Sequence, residues 1–495
     1  MTAPSLISRD AAVVKVALLD LFSAALDPLL ALAWSGGLTA REAELRTWSA
    51  LVPVGAALLT ALFAALARRA TDAALDRCGR SICDVKLRLD RDYWFTTTTT
   101  FGRVRVPWFA FVDRRGVETP ARAVFPLQAR CRSSEVCLEW ESALAADHPF
   151  RKAAGALEFF THGAVDLEDT TVERHAVLVG KHVEREWLYR TPKAIREALR
   201  HARRDEKSGR PLVYVSTDAH ALRYLVDETW RADWKMVNGI RVWCVDERTD
   251  TLVHLGGEYV RGDCHAVVAC FTELRASGHL PKDGGYGDGV VAQLVLVTDG
   301  LEWIGRHVVP LFPDAIHILD PYHVVEQVAD AAGVLYPRDP TRAKRLVKEA
   351  RRAIGIRDRR ERTRYRKGPR RMRHRTRHVP FRGSGAALLE ILECLTPTSA
   401  ARKRLDTLLD YVRINLFRLN YGDLRNRGLN IGSGAMESLH RFGSQLRMKL
   451  SGSRWTPEVA HAMLQVRMLA ISGRWDEWWS TPGRADLLAG PGHAA

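Results

Sequence analysis

The chain reads as an α/β protein built on a mixed sheet, with helical and small β regions in front of it. Three observations predict this. Leu212 to Ser216, Val291 to Val297 and Ala315 to Leu319 are short apolar runs of buried-strand type, each followed by an aspartate: Asp218, Asp299 and Asp320. Two further strand-like runs, Lys235 to Asp246 and Leu252 to Val260, flank the turn Glu247-Arg-Thr-Asp-Thr251. Helical spacing appears at Cys264 to Ser277, Trp303 to Val309 and from Pro321 onward. The order is therefore βββαβαβα, antiparallel strands followed by alternating strand and helix, which suits a mixed sheet.

The N-terminal 75 residues are rich in Ala and Leu and read as helices broken at Gly36-Gly37. Leu51 to Ala67 is nearly all apolar but contains Pro53 and is short for a membrane span, so it reads as a buried helix. From 84 to 128 the pattern alternates. Val85 to Asp90, Trp94 through five successive threonines to Val106, and Trp108 to Val112 are strand-like, with a turn at Asp113-Arg-Arg-Gly116. β-branched threonines favour strand over helix. Helix returns from 133 to 185, with Ser133 as a cap and His162-Gly163 as a stop. Thr171, Arg174 and His175 stand at the front of its last helix, as in a helix-turn-helix recognition segment, although an ordinary three-helix unit has the same pattern. Arg190 to Gly209 is basic and linker-like. Residues 385 to 421 and 456 to 473 are helical, and the tail after Pro482 reads as disordered.

The net charge is +16, in a chain of 495 residues with 46% apolar content. This favours an anionic partner, nucleic acid foremost. The charge is concentrated: residues 337–380 hold 19 Lys or Arg against 4 Asp or Glu, a local +15. Such blocks bind polyanions or stay mobile. Eight cysteines are scattered without a CxxC pair, which argues against a zinc site or a disulfide framework. The N-terminus lacks a secretion signal, consistent with a cytoplasmic location and no membrane.

The chemistry lies with the acids. Cleaving a phosphodiester needs an activated water and stabilisation of charge on the phosphate, which two divalent ions about 4 Å apart supply. Mg²⁺ or Mn²⁺ prefers carboxylate oxygens, so two or three acids converging from rigid elements suffice. Strand ends at the carboxyl edge of an α/β sheet give such a place. Asp218 and Asp299 share a Thr-Asp ending after apolar runs, and Glu437 stands at the helix start framed by Gly432-Ser-Gly434. Each alone has a plainer role, because Asp after a strand caps helices and Glu suits a helix start. Asp320 is a ligand, a supporting group or a cap. His323, three residues on, is a supporting group or a buried histidine.

Ser216-Thr-Asp218, Val297-Thr-Asp-Gly300, Asp320-Pro-Tyr-His323, Gly432-Ser-Gly-Ala-Met-Glu437-Ser and Arg447-x-Lys449-x-x-Gly452-x-x-Trp455 occur in that order. Together they resemble a DDE transposase of bacterial insertion sequences, of the Kra-type group and related in pattern to Mutator-like transposases. The resemblance covers roughly residues 80 to 475, and Phe101-Gly102 in the Thr-rich strand is similar too. It implies an RNase H-like core with a helical insertion between the second and third acids. It implies two Mg²⁺ (or Mn²⁺) ions held by Asp218, Asp299 and Glu437, with Asp320 and His323 in support. It also implies DNA contact by His440, Arg441, Arg447, Lys449 and Trp455, while Arg174 and His175 are DNA-contact candidates from the helix-turn-helix pattern.

On this reading 1–75 is helical, 76–132 a small β region and 133–205 a helical region that includes the helix-turn-helix candidate. Residues 206–335 and 426–475 are the two parts of the core, 336–425 the insertion and 476–495 the tail. Water hydrolyses the strand at the element's terminal inverted repeat, and the 3′-hydroxyl attacks target DNA. A homodimer or higher assembly in the nucleoid is implied, since two ends must be joined. A helix-turn-helix regulator without catalysis and a structure-specific nuclease of the same fold are the rival readings.

Overall fold

The computed structural model describes residues 5–8, 10–77, 94–107, 111–113, 116–226, 231–282, 285–286, 289–356 and 381–490. Two compact units divide the chain, Met1–Glu184 with Glu458–Ala495, and Arg185–Pro457. Val85 to Asp90 and most of the basic block lie outside the described residues.

In the first unit, α1 (Ala11–Trp34) starts at Asp10, whose carboxylate accepts from the Ala12 N–H at 2.8 Å. α2 (Ala40–Arg77) starts with a capping box. Glu42 accepts from the Thr39 N–H at 3.0 Å, and Thr39 Oγ1 accepts from the Glu42 N–H at 3.2 Å. Both helices are long and apolar enough to cross a membrane, by length and composition. The expected burial of the apolar stretch holds for one face only. Ala61, Ala64 and Ala67 are buried, while Leu51, Leu58, Leu62 and Leu66 are exposed. The buried face packs on a β-hairpin, β1 (Trp94–Thr99) with β2 (Gly102–Pro107), through Leu59, Phe63 and Phe95. The threonine run is thus not one strand through to Val106: it turns back at Thr100-Phe101, where Gly102 takes φ +96°. β3 (Phe111–Asp113) and β4 (Gly116–Glu118) form a second, shorter hairpin.

Three helices follow, α3 (Glu135–Asp147), α4 (Phe150–Phe160) and α5 (Asp169–Lys181). Ser134, not Ser133, caps α3. Ser133 instead donates to the buried carboxylate of Glu141. The expected disorder after Pro482 does not hold for the described residues, which run to Gly490. Arg484–Ala489 is helical, Leu488 and Ala489 are buried, and Arg484 lies 4.2 Å over the Trp478 ring and pairs with Glu184. A Trp-rich segment gives this end enough apolar surface to hold.

The second unit begins with α6 (Pro192–Arg200) and is centred on a five-stranded mixed sheet. Its strands are β5 (Leu212–Leu225), β6 (Ala232–Val245), β7 (Leu252–Val260), β8 (Gln293–Thr298) and β9 (Ile316–Leu319), in the order β7-β6-β5-β8-β9. β5, β6 and β7 are antiparallel neighbours, while β8 and β9 join parallel. Both faces are covered, as parallel strands require. On one face Leu212, Tyr214, Val295 and Val297 join α8 (Pro321–Leu335), α9 (Pro340–Ala353), α10 (Gly385–Glu393) and α11 (Ser399–Ile414) in one core. α7 (Cys264–Ala276) contributes the buried Val267, Phe271 and Leu274, with Phe271 edge-on to Phe312 at 5.3 Å. Trp303 to Val309 is helical but irregular, a π-helical turn over Ile304–Val308 followed by a 3₁₀ turn.

After α12 (Tyr421–Asn426) the chain crosses the sheet end and is fixed at successive points. Arg427 donates to Asp205 through Nε at 2.9 Å and Nη2 at 3.1 Å, and the Asn430 N–H donates to the Tyr214 hydroxyl at 3.0 Å. Burial pushes the Asp205 carboxyl up, but Arg427, Ser208 and the Lys207 N–H outweigh it and hold it far below the usual carboxylate range. A depressed carboxyl stabilises the fold above its unfolded value, and that stability drains away as pH falls through the folded value. Asp205→Asn is therefore expected to lower stability at pH 7 by about 3 kcal/mol in chemical denaturation. The gap to wild type should narrow as pH drops below about 4.

Candidate functional site

The strand registers place the three strand-borne aspartates. Val215 pairs with Leu296 in the parallel β5–β8 ladder, and Thr298 pairs with Leu319 in β8–β9. Continued three residues and one residue further, the same offsets bring Asp218, Asp299 and Asp320 to one level on three neighbouring strands. Neighbouring strands lie about 4.8 Å apart. Asp218 is not at the end of its strand, as its apolar run suggested. β5 continues to Leu225 because β6 accompanies it, and Asp218 sits where the parallel partner has stopped.

Asp218 and Asp299 are held in opposite electrostatic states. Burial raises Asp218, but His440 outweighs it, helped by the Ala219 N–H at 2.7 Å, and the carboxyl ends below its ordinary value. The His440 Nε2 to Asp218 Oδ2 separation is 3.5 Å, an ion-pair rather than a hydrogen-bond distance. Asp299 is raised, first by burial and further by the Asp218 charge, against the Leu301 N–H, His323 and Arg418. Two carboxylates at one level, one raised by the charge of the other, offer hard oxygen donors to a divalent cation. His323 acts electrostatically on both, and also pairs with Glu326 at 3.3 Å.

Asp320 is fully buried and bonded to backbone. One oxygen accepts from the Tyr322 N–H and caps α8, and the other accepts from the Ser433 N–H, both at 2.6 Å. Ser433 immediately precedes α13 (Gly434–Leu439), which carries Glu437, so Asp320 anchors the start of that helix to the sheet. Glu437 itself is exposed in the first turn. Among the described residues no three His, Cys, Asp or Glu side chains are grouped to hold an ion, so what converges here is the aspartate pair.

α13 approaches the sheet at Gly239, the register partner of Asp218. A Cβ there would lie 2.9 Å from His440 Cε1 and closer still to the Met436 methyl. Only a glycine admits the helix this near. Arg241 donates to the Ala435 carbonyl, and the Tyr259 hydroxyl to the Leu439 carbonyl at 3.1 Å.

The helix continues as a π-helical turn, His440–Gln445, and a closing turn, Leu446–Met448. His440 is buried inside this packing. Arg447 is buried too, its guanidinium 4.9 Å from the Trp455 ring, whose indole donates to the Met448 carbonyl at 3.0 Å. Trp455 is itself buried, and its backbone bonds to Arg223 and Leu225 at the end of β5. These three have little surface to offer a phosphate, whereas Arg441 and Lys449 are exposed. In the other unit Arg174 is exposed, but His175 is buried with Nδ1 2.6 Å from Glu141. Burial lowers its imidazole pKa, but the Cys131 and Glu141 contacts outweigh it and leave it raised to about 9.

Two supports escaped the sequence reading. Arg418, buried, donates to the Asn415 side chain at 3.0 Å, to Thr298 Oγ1 and to the Asp299 carbonyl at 3.2 Å. His220 lies two residues after Asp218, its Nε2 2.6 Å from Ser444 Oγ and its ring 4.3 Å from that of His440. Burial, with the His440 and Lys449 charges, lowers its pKa to about 3, so it is neutral. Only the Asp-x-His spacing hinted at it, by placing both side chains on one face of a strand.

No protein-family model matches the chain, and no curated protein matches it. Among solved structures, the Drosophila P element transposase strand transfer complex is similar over 72% of this chain and 96% of that chain. The identity is 12% and the TM-score 0.31, a likeness that carries no argument about function.

Asp320→Ala removes a helix cap and leaves the buried Ser433 N–H without its acceptor. It is expected to cost about 3 kcal/mol in chemical denaturation.

Proposed function

We propose that the chain is a DDE-type DNA transposase with an RNase H-like core, of the Kra-type group related in pattern to Mutator-like enzymes. On this reading it cuts the ends of an insertion sequence and joins the 3′-hydroxyls to target DNA. The observation that carries the reading is the aspartate pair. Asp218 and Asp299 fall at one level on adjacent parallel strands, and the Asp218 charge raises Asp299. Its second support is the anchored helix start beside them, with Glu437 in its first turn.

Asp218, Asp299 and Glu437 are the residues to hold two Mg²⁺ or Mn²⁺ ions, which when bound supply activation of water and neutralisation of phosphate charge. The chain's own contribution is placement. His440 holds the Asp218 carboxyl below its ordinary value against burial, and Arg418 holds the backbone at Asp299. Arg441 and Lys449 are exposed on the segment that follows Glu437, where they can meet phosphates. The basic helix α9 adds Arg342, Lys344, Arg345, Lys348, Arg351 and Arg352. The DNA partner is then the element's terminal repeats and the target. The assembly is a homodimer or larger, and the setting the bacterial cytoplasm and nucleoid.

The test is a cleavage assay on DNA carrying the inverted repeats that flank the coding region, beside branched DNA, with Mg²⁺ or Mn²⁺. Cutting at the repeat ends is expected, and Asp218→Ala should slow it by about 10³-fold or more while DNA affinity is kept. A wild-type protein that cuts nothing with any divalent ion contradicts the enzyme reading and leaves DNA binding alone. Preference for branched DNA supports the structure-specific nuclease instead.

A further inference from the structure

The proposed chemistry needs a strand-borne acid and a helix-borne acid, far apart in sequence, to stay at a fixed separation. The helix that carries Glu437 is tied to the sheet on both sides of that residue. Before it, Ser433 is bound by Asp320 at 2.6 Å. After it, Ser444 Oγ meets His220 Nε2 at 2.6 Å and donates back to the His440 carbonyl at 3.1 Å. Asp218 and His220 are two residues apart on β5, so both project from the same face of the strand. The rings of His220 and His440 are 4.3 Å apart, and His440 in turn faces Asp218. Ser444, His440 and His220 are all buried, at 0%, 3% and 7% exposure. The tie falls in the π-helical turn, an irregularity that often marks functional sites.

We propose that His220, acting through Ser444 and His440, is a positioning residue that sets the spacing between Asp218 and the Glu437 helix. This rests on the metal-dependent reading of the site. His220 has no contact with a reacting group. It holds the far side of the helix, as Asp320 holds the near side. Loss of either end lets Glu437 drift relative to Asp218 and weakens metal binding rather than DNA binding.

The test uses the full chain with His220→Ala, Ser444→Ala and His220→Gln, the last keeping a nitrogen near the Nε2 position. Three quantities are measured: the Mg²⁺ concentration at half-maximal DNA cleavage, Mn²⁺ binding to the DNA-free protein by electron paramagnetic resonance, and DNA affinity in Ca²⁺. His220→Ala and Ser444→Ala are expected to raise the half-saturating Mg²⁺ and the Mn²⁺ dissociation constant about tenfold, as loss of supporting partners does at metal sites. DNA affinity should stay within about twofold, and His220→Gln should recover most of the loss. Unchanged metal dependence in both deletions, in a protein that cleaves, overturns this proposal and leaves the transposase reading standing. Loss of metal binding only in step with thermal stability, with no recovery in His220→Gln, overturns it too. A wild-type chain that neither binds Mn²⁺ nor cuts DNA overturns the reading of the site, and this proposal with it.

Discussion

The site depends on one buried carboxylate, Asp320, whose two oxygens are both taken by backbone N–H groups. Asp320 ends β9, caps α8 with one oxygen and receives the Ser433 N–H with the other. A buried carboxylate that accepts two backbone N–H groups is fully satisfied and has little freedom. Through it, the end of the parallel sheet and the start of the Glu437 helix become one rigid corner. Arg427 on Asp205 and Asn430 on Tyr214 fix the loop that leads there.

Around that corner the sheet does two things at once. Its antiparallel half lets β5 run past the site, so Asp218 and His220 stand on a supported strand rather than a loop. Its parallel half stops there and leaves Asp299 and Asp320 at the carboxyl edge, where open α/β sheets bind ligands. The charges follow from this placement. Asp218 is paid attention by His440 and stays low, while Asp299, more crowded by its neighbour and less compensated, rises. A pair split in this way is a common signature of working carboxylates.

Much of this was legible in the chain. The apolar runs before Asp218, Asp299 and Asp320 mark strands that are buried on both faces, and the glycines at 432 and 434 mark a helix start. Where the reading went astray, tertiary partners decided. β5 outruns its apolar segment because β6 pairs with it to Leu225. The threonine run folds back at Gly102, since alternation alone does not reveal a two-residue turn. Arg447, Trp455, His440 and His175 look like surface readers of phosphate in sequence, yet they are buried, and a positive charge or an aromatic ring carries no label of the side it faces. Arg418 and His220 were hard to read for the converse reason: Thr298 and Ser444, which fix them, come from segments more than 100 residues away.

The central claim is that Asp218 and Asp299, with Glu437, form a divalent-cation site. Anomalous diffraction from crystals of the chain grown with DNA ends and Mn²⁺ tests it most directly. The account predicts anomalous density between the Asp218 and Asp299 carboxylates, with Glu437 turned toward it, and its loss in Asp218→Ala. Density elsewhere, or none at these residues with DNA bound, would contradict it.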